Sequence, residues 1–258
     1  MKTITPTGPG KILRIANPNF FGSMYVLYNF DSGGDALKKE FNGVLDTLAA
    51  IAKLAKRLGL KVELVIEATA DPTGNAIENQ RLSRQRAARV VAFLVSHGVD
   101  STICEVKPYG ADSRTRASSD AFLRIKAGRT KITPKGGNEL DRAVQLTMLQ
   151  HRPPRGPIVD FKREGWDRLF SQVRTWVTFD IMCKVGMDIA DKHAPSPSIK
   201  GVPVPTGSPM PAQEWNSEEK VKRAIRNGVI VAVMQALRKQ RVDISQAQVE
   251  AEYDKRYK

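Results

Sequence analysis

Asp71 and Arg86 are the side chains whose types and spacing could do chemistry. Asp71 opens the tight-turn sequence Asp-Pro-Thr-Gly, carrying Thr73 and Gly74, directly after the strand-like run Val62-Glu63-Leu64-Val65-Ile66. A helical pattern follows from Asn75 to Ser96. The acid therefore stands between a strand end and a helix start, where unpaired N–H groups favour an anion. On that helix Asn79, Ser83, Arg86 and Val90 are spaced by four, three and four residues, which puts them on one stripe. An acid, an amide and a guanidinium can then face a common cleft. Spacing alone leaves two readings open: Asp71 and Arg86 pair with each other, or they hold a ligand.

The elements that must position these residues follow from periodicity. Residues 1–21, punctuated by Pro6, Gly8, Pro9 and Gly10, suggest an extended arm with an apolar patch at Ile12, Leu13 and Ile15. Met24 to Phe30 is expected as a first strand and Leu37 to Leu58 as a helix stopped by Gly59. Val62–Ile66 is a second strand, and the Asn75–Ser96 helix buries Leu82, Ala87, Val90, Val91 and Leu94. Cys104 to Gly110 gives a third strand and Ala143 to Leu149 a fourth, flanking a polar, basic stretch from Ala111 to Gly137. Residues 22–152 thus form an α/β sandwich, β-α-β-α-β with a late strand.

A boundary is expected at Arg152-Pro153-Pro154-Arg155-Gly156-Pro157. Residues 153–258 form a mainly helical second domain. Glu164 to His193 repeats apolar residues at helical spacing through Trp166, Phe170, Val173 and Trp176. Six prolines between Pro195 and Pro211 mark a linker over 194–214. Asn216 or Ser217 caps a helix that runs to about Arg241, and Ser245 with Gln248 forms a capping box for a last short helix.

The formal charge of +14 is spread over both halves, so the surface attracts polyanions such as nucleic acid, anionic lipid or an acidic wall polymer. Cys104 and Cys183 match no metal or redox spacing and suggest two buried thiols. His97, His151 and His193 are isolated, so no metal or cofactor is expected. The first twenty residues hold no long apolar run and no 18-residue uncharged stretch exists, so neither a signal peptide nor a spanning helix is expected.

The Asp71 stretch resembles a family. Asp71-x-x-Gly74, Asn79, Leu82-Ser83-x-x-Arg86-Ala87-x-x-Val90 matches the pattern of OmpA-like, peptidoglycan-associated domains. The likeness extends to Tyr28-Asn29-Phe30-Asp31, Tyr109-Gly110 and Leu140-Asp141-Arg142-Ala143-Val144, covering about residues 22–150. Ala68 and Ala70 depart from the Gly and Thr usual there, and Asp141-Arg142-Ala143-Val144 departs from Asn-Arg-Arg-Val. The resemblance implies non-covalent, non-enzymatic binding of the peptidoglycan stem peptide at diaminopimelate, whose far end carries an ammonium and a carboxylate on one carbon. Asp71 would accept from the ammonium and Arg86 would give the carboxylate a planar fork, with Thr73, Gly74, Asn79, Ser83 and Arg142 completing the site.

The whole chain is then expected to anchor a larger assembly to the bacterial cell wall, with residues 153–258 contacting other protein subunits. A start without an export signal suggests a phage-tail or contractile-injection component. Two alternatives are weighed. One is a nucleic-acid-binding or structural assembly protein using basic loops such as Arg114 to Lys135. The other is a wall hydrolase using Glu164 and Asp167.

Overall fold

The computed structural model describes residues 4–16, 23–111, 141–149, 153, 156–193 and 218–257. The chain divides into two compact units, the first formed by residues 1–150 with 186–209 and the second by 151–185 with 210–258.

The first unit is the expected α/β arrangement. Its strands are β1 (Lys11–Ala16), β2 (Ser23–Tyr28), β3 (Glu63–Ala68), β4 (Cys104–Pro108) and β5 (Ala143–Leu149). They form one sheet in the order β1-β2-β5-β3-β4, in which only β3 and β4 run parallel. The late strand β5 is therefore central, between β2 and β3. Alternation sends Leu64, Ile66 and Ala68 of β3 to one face, directly opposite Met148, Leu146 and Val144 of β5. All six are fully buried. The other face carries a polar group, in which Glu67 accepts from Tyr109 and Gln145.

Two helices supply the remaining core. Helix α1 (Asn42–Arg57) contributes Leu45, Leu48, Ile51, Ala52 and Ala55. Helix α2 (Ala76–Ser96) contributes Leu82, Ala87, Val90 and Leu94, with Val91 only half-buried. Each fully buried leucine stabilises by about 1.5–3 kcal/mol, so this apolar face dominates the fold energetically. Asn75 caps α2 by accepting from the Glu78 N–H at 2.8 Å. Gly59 and Gly98, both at positive φ, stop the two helices where Cβ atoms would be strained.

The arm differs from a plain extended segment. Part of it is β1, an edge strand paired in register with β2, and the residues before it are stitched onto the loop after β2. Thr5 exchanges two backbone bonds with Ser32, and the Asn29 amide donates to the Thr7 and Pro9 carbonyls. The basic stretch 111–137 lies, beyond Ala111, outside the described residues, as do the 194–214 linker and the expected cap at Asn216 or Ser217.

The second unit contains helix α3 (Phe161–His193) through Val185, and helices α4 (Glu218–Lys239) and α5 (Gln246–Tyr257). The expected stripe is buried in part: Phe170 and Val173, with Leu169 and Val185, join a core that includes Val221, Ile225, Val229, Val233 and Tyr253, whereas Trp166 and Trp176 are only half-buried. Its start differs: Gly165 has φ +71° and ψ −169°, so the first turn is set off from the helix proper. The capping box forms, as the Ser245 N–H donates to Gln248 Oε1 at 3.0 Å and Ser245 Oγ accepts from the Gln248 N–H at 3.3 Å. Gly228 lets α4 approach α3 closely, because a Cβ there would lie 2.8 Å from Val177 Cγ1.

Candidate functional site

Topology brings the chemistry-bearing residues together. Strands β2 and β3 both run antiparallel to β5, so their C-terminal ends meet its beginning, where Ala68 and Tyr28 flank Val144 and Ala143. β4 is parallel to β3 and ends beside it. Asn29 to Asp31, Thr69 to Gly74, Tyr109-Gly110 and Asp141-Arg142 therefore gather at one edge of the sheet, with α2 starting from the same edge.

Asp71 sits there almost wholly buried. Its Oδ1 accepts from the N–H and hydroxyl of Thr73, an Asx-type turn that Gly74 (φ +100°) allows to close. Its Oδ2 accepts from Arg142 Nη1 at 3.4 Å. Asp71 thus pairs with Arg142 at the start of β5.

Arg86 has no solvent exposure, and each of its nitrogens donates to a backbone carbonyl. Nε donates to Gly34 at 3.0 Å, Nη1 to Thr69 at 2.9 Å and Nη2 to Asp31 at 3.0 Å. The guanidinium also lies over the Phe30 ring, 5.2 Å from its centroid. Burial pulls its pKa down to about 10; the Asp71 carboxylate opposes that fall and the Arg142 cation adds to it. Arg86 remains a cation at neutral pH.

Arg142 is held differently. Nε donates to the Phe30 carbonyl at 2.7 Å, while its outer nitrogens reach only side-chain oxygens, Asp71 Oδ2 at 3.4 Å and Asn29 Oδ1 at 3.3 Å. Its inner nitrogen is tightly anchored and its outer fork is loosely held.

The other expected residues occupy the same edge. Ser83 is fully buried and donates to the Gln80 carbonyl while accepting from the Gly110 N–H at 3.0 Å, which fastens the loop after β4 to α2. Gly110 (φ +60°) is required there, since a Cβ would lie 2.8 Å from Gln80 Oε1 and 3.2 Å from the Gln80 nitrogen. Asn79 is 2% exposed, and among the described residues its Oδ1 has no hydrogen-bond donor.

Sequence spacing does not reveal three further contributors. Asn29, in the left-handed region at φ 67°, turns the chain out of β2 and supports Arg142. Thr69 ties Arg86 to the chain entering β5, because its carbonyl accepts from Arg86 and its hydroxyl donates to the Asp141 carbonyl at 2.7 Å. Asp31 supplies a carbonyl to Arg86 while its carboxylate pairs with Lys38 at 2.8 Å. The signal available was the Tyr28-Asn29-Phe30-Asp31 run itself.

Elsewhere, Cys104 and Cys183 are half-buried rather than fully buried and form no disulfide, and burial raises the Cys104 pKa. His97 contacts the Phe93 carbonyl and Asp46; His151 and the His193 side chain lie outside what is described. Glu164 pairs with Arg163 and Arg168, and Asp167 pairs with Arg256, so the two acids are engaged in separate ion pairs. Among the described residues no cluster of three or more His, Cys, Asp or Glu is placed to hold a metal, and no helix is long and apolar enough to cross a membrane.

Residues 29–121, which carry β3, β4, both helices, Asp71 and Arg86, match the OmpA family. No curated protein matches the chain. Similar solved structures include the peptidoglycan-associated lipoprotein from Burkholderia pseudomallei, 17% identical over 48% of this chain and 88% of that one, with a TM-score of 0.36. Another is the OmpA-like domain of FopA1 from Francisella tularensis, 15% identical over 58% of this chain and 97% of that one, with a TM-score of 0.36. A third is the periplasmic domain of Helicobacter pylori MotB (residues 78-256), 16% identical over 50% of this chain and 76% of that one, with a TM-score of 0.34.

Proposed function

We propose that the first unit binds peptidoglycan non-covalently by holding the zwitterionic end of a diaminopimelate side chain at Asp71. The observation that carries this reading is a buried carboxylate paired with Arg142 at one sheet edge and lying in the field of the buried Arg86, with Asp71 and Arg86 both inside the segment that matches the OmpA family. The ligand ammonium pairs with Asp71 and its carboxylate with the guanidinium side of the cleft, where Arg86 fixes the electrostatic field. Thr73 and Gly74 hold Asp71 in position, and Ser83 holds the wall formed by Gly110. The unpartnered oxygen of Asn79 offers an acceptor to a ligand N–H. Each charge-assisted bond contributes roughly 1.5–3 kcal/mol, enough for selection at modest affinity, which many sites on a polymer raise by avidity. The second unit, with its own helical core, attaches this module to a larger assembly such as a phage tail or contractile injection particle.

Sedimentation with purified diaminopimelate-type sacculi tests the reading, with lysine-type sacculi as the control. Wild type co-sediments with the first and not the second, and Asp71→Ala, verified as folded by circular dichroism, stays in the supernatant. Equal sedimentation of both proteins removes Asp71 from the site, and no sedimentation of wild type removes the function.

A further inference from the structure

Building on the peptidoglycan reading, we propose that Arg142 is an internal stand-in for the ligand's ammonium, pairing with Asp71 and yielding that carboxylate when the ligand arrives. Three observations carry this. First, the two guanidiniums near Asp71 are held in different ways. Arg86 is tied by three bonds of 2.9–3.0 Å to the carbonyls of Gly34, Thr69 and Asp31, so moving it would break all three at once. Arg142 has one short bond, from Nε to Phe30, and two long ones to side-chain oxygens, Asp71 Oδ2 at 3.4 Å and Asn29 Oδ1 at 3.3 Å. Arg142 is therefore the cation able to move.

Second, the anchor and the mobile part lie on different atoms. With Nε fixed on the Phe30 carbonyl, the outer fork can swing without releasing the side chain from the sheet edge. Asn29, whose oxygen accepts from the same fork, keeps part of its bonding when Asp71 is given up. Third, Asp71 Oδ1 is already satisfied twice by Thr73, so Oδ2 is the oxygen left for a cation, and Arg142 occupies it. An arriving ammonium competes for that same oxygen. Arg142 then sets selectivity: a ligand must bring a cation that pairs with Asp71 better than a 3.4 Å internal contact.

The test uses a soluble muropeptide containing meso-diaminopimelate, titrated calorimetrically into the full chain. Arg142→Gln, which keeps a donor for the Phe30 carbonyl but removes the competing charge, binds about fivefold more tightly. Arg142→Lys, which keeps the charge but cannot reach Phe30 and Asp71 together, binds more tightly by a smaller factor. Asp71→Asn loses at least about tenfold. A measurement on wild type needs no folded variant: the side-chain NMR signals of Arg142 Nη shift on muropeptide addition while Nε stays. Unchanged or weaker binding by Arg142→Gln, or unmoved Nη signals in a protein that binds, overturns the stand-in role and leaves the peptidoglycan reading intact. Failure of wild type to bind overturns both.

Discussion

Arg86 in the first unit and Arg226 in the second each donate three hydrogen bonds, yet to opposite kinds of acceptor. Arg86 serves the carbonyls of Gly34, Thr69 and Asp31 with no carboxylate in direct contact and no solvent exposure. Arg226 grips Asp254 through two nitrogens, reaches Glu250 at 3.5 Å, and lies 6.0 Å from the Tyr253 ring centroid at the rim of its unit. The same contrast holds for Arg256, which pairs with Asp167 and Glu252 beside Phe170. A buried cation neutralised only by peptide dipoles keeps its charge available to a neighbour, here the Asp71 pocket. A rim cation paired with carboxylates has no such surplus and acts as a clasp between helices. Arginine content alone would treat the two units as equally basic; the acceptors separate a binding edge from a packing device.

Breaking the first member of the comparison has the largest expected effect. Arg86→Met takes a donor from the carbonyls of Gly34, Thr69 and Asp31 and opens a buried gap, lowering the stability of the first unit by about 3–5 kcal/mol, read by urea denaturation in far-ultraviolet circular dichroism. Trp166, Trp176 and Trp215 all follow residue 150, so tryptophan fluorescence reports the second unit. Its urea midpoint stays where it is in Arg86→Met. A fluorescence shift matching the circular dichroism loss would show that the contrast is not local.

Gly228→Val tests the second unit directly. A Cβ at this position already falls 2.8 Å from the stiff Val177, and the larger side chain separates α3 from α4 at a cost of about 1–3 kcal/mol, visible as a lower fluorescence midpoint. Arg226→Gln follows with a loss of about 0.5–1 kcal/mol, because the pair is partly solvated and screened. Repeating the measurement in high salt shrinks that difference. A loss as large as that of Arg86→Met would erase the distinction between rim and core cations.

The smallest effect concerns Asp31. Burial alone would raise its pKa, but the bonds from Lys38 and Thr7 outweigh it and hold the group below 3.8. A carboxylate with a depressed folded-state pKa contributes stability that is complete above its unfolded value and fades as pH falls through the folded one. Asp31→Asn therefore flattens the acid limb of the first unit's stability below about pH 4 and changes little at pH 7 beyond a constant offset. An unaltered acid limb excludes Asp31 as a contributor.

Much of the fold is legible in the sequence because period-two and period-3.6 patterns report burial directly. β3, α1, α2 and the α3 stripe follow from them within a few residues. β1 was hidden because its six residues sit beside a Pro/Gly-rich run and gain their structure only from pairing with β2. The break at Gly165 was hidden for the opposite reason: apolar spacing continues across it through Phe161, Trp166 and Phe170, and only the backbone angle records the change. At the candidate site, residue types and their common edge were legible, since acid, turn and helix are contiguous. The destination of each donor was not, because Gly34, Asp31 and Arg142 come from distant segments and only the antiparallel entry of β5 brings them to Asp71.

That strand order also governs how the protein is made. The centre of the first unit's sheet is β5, formed by residues 143–149, although β2 and β3 are synthesised long before. Until this segment leaves the ribosome, β2 and β3 keep facing edges with unmet hydrogen-bonding groups, and the chain must close a long loop before their contacts are rewarded. The residue just ahead of the arriving strand is Arg142, so the sheet and the charge balance around Asp71 are completed in the same folding step.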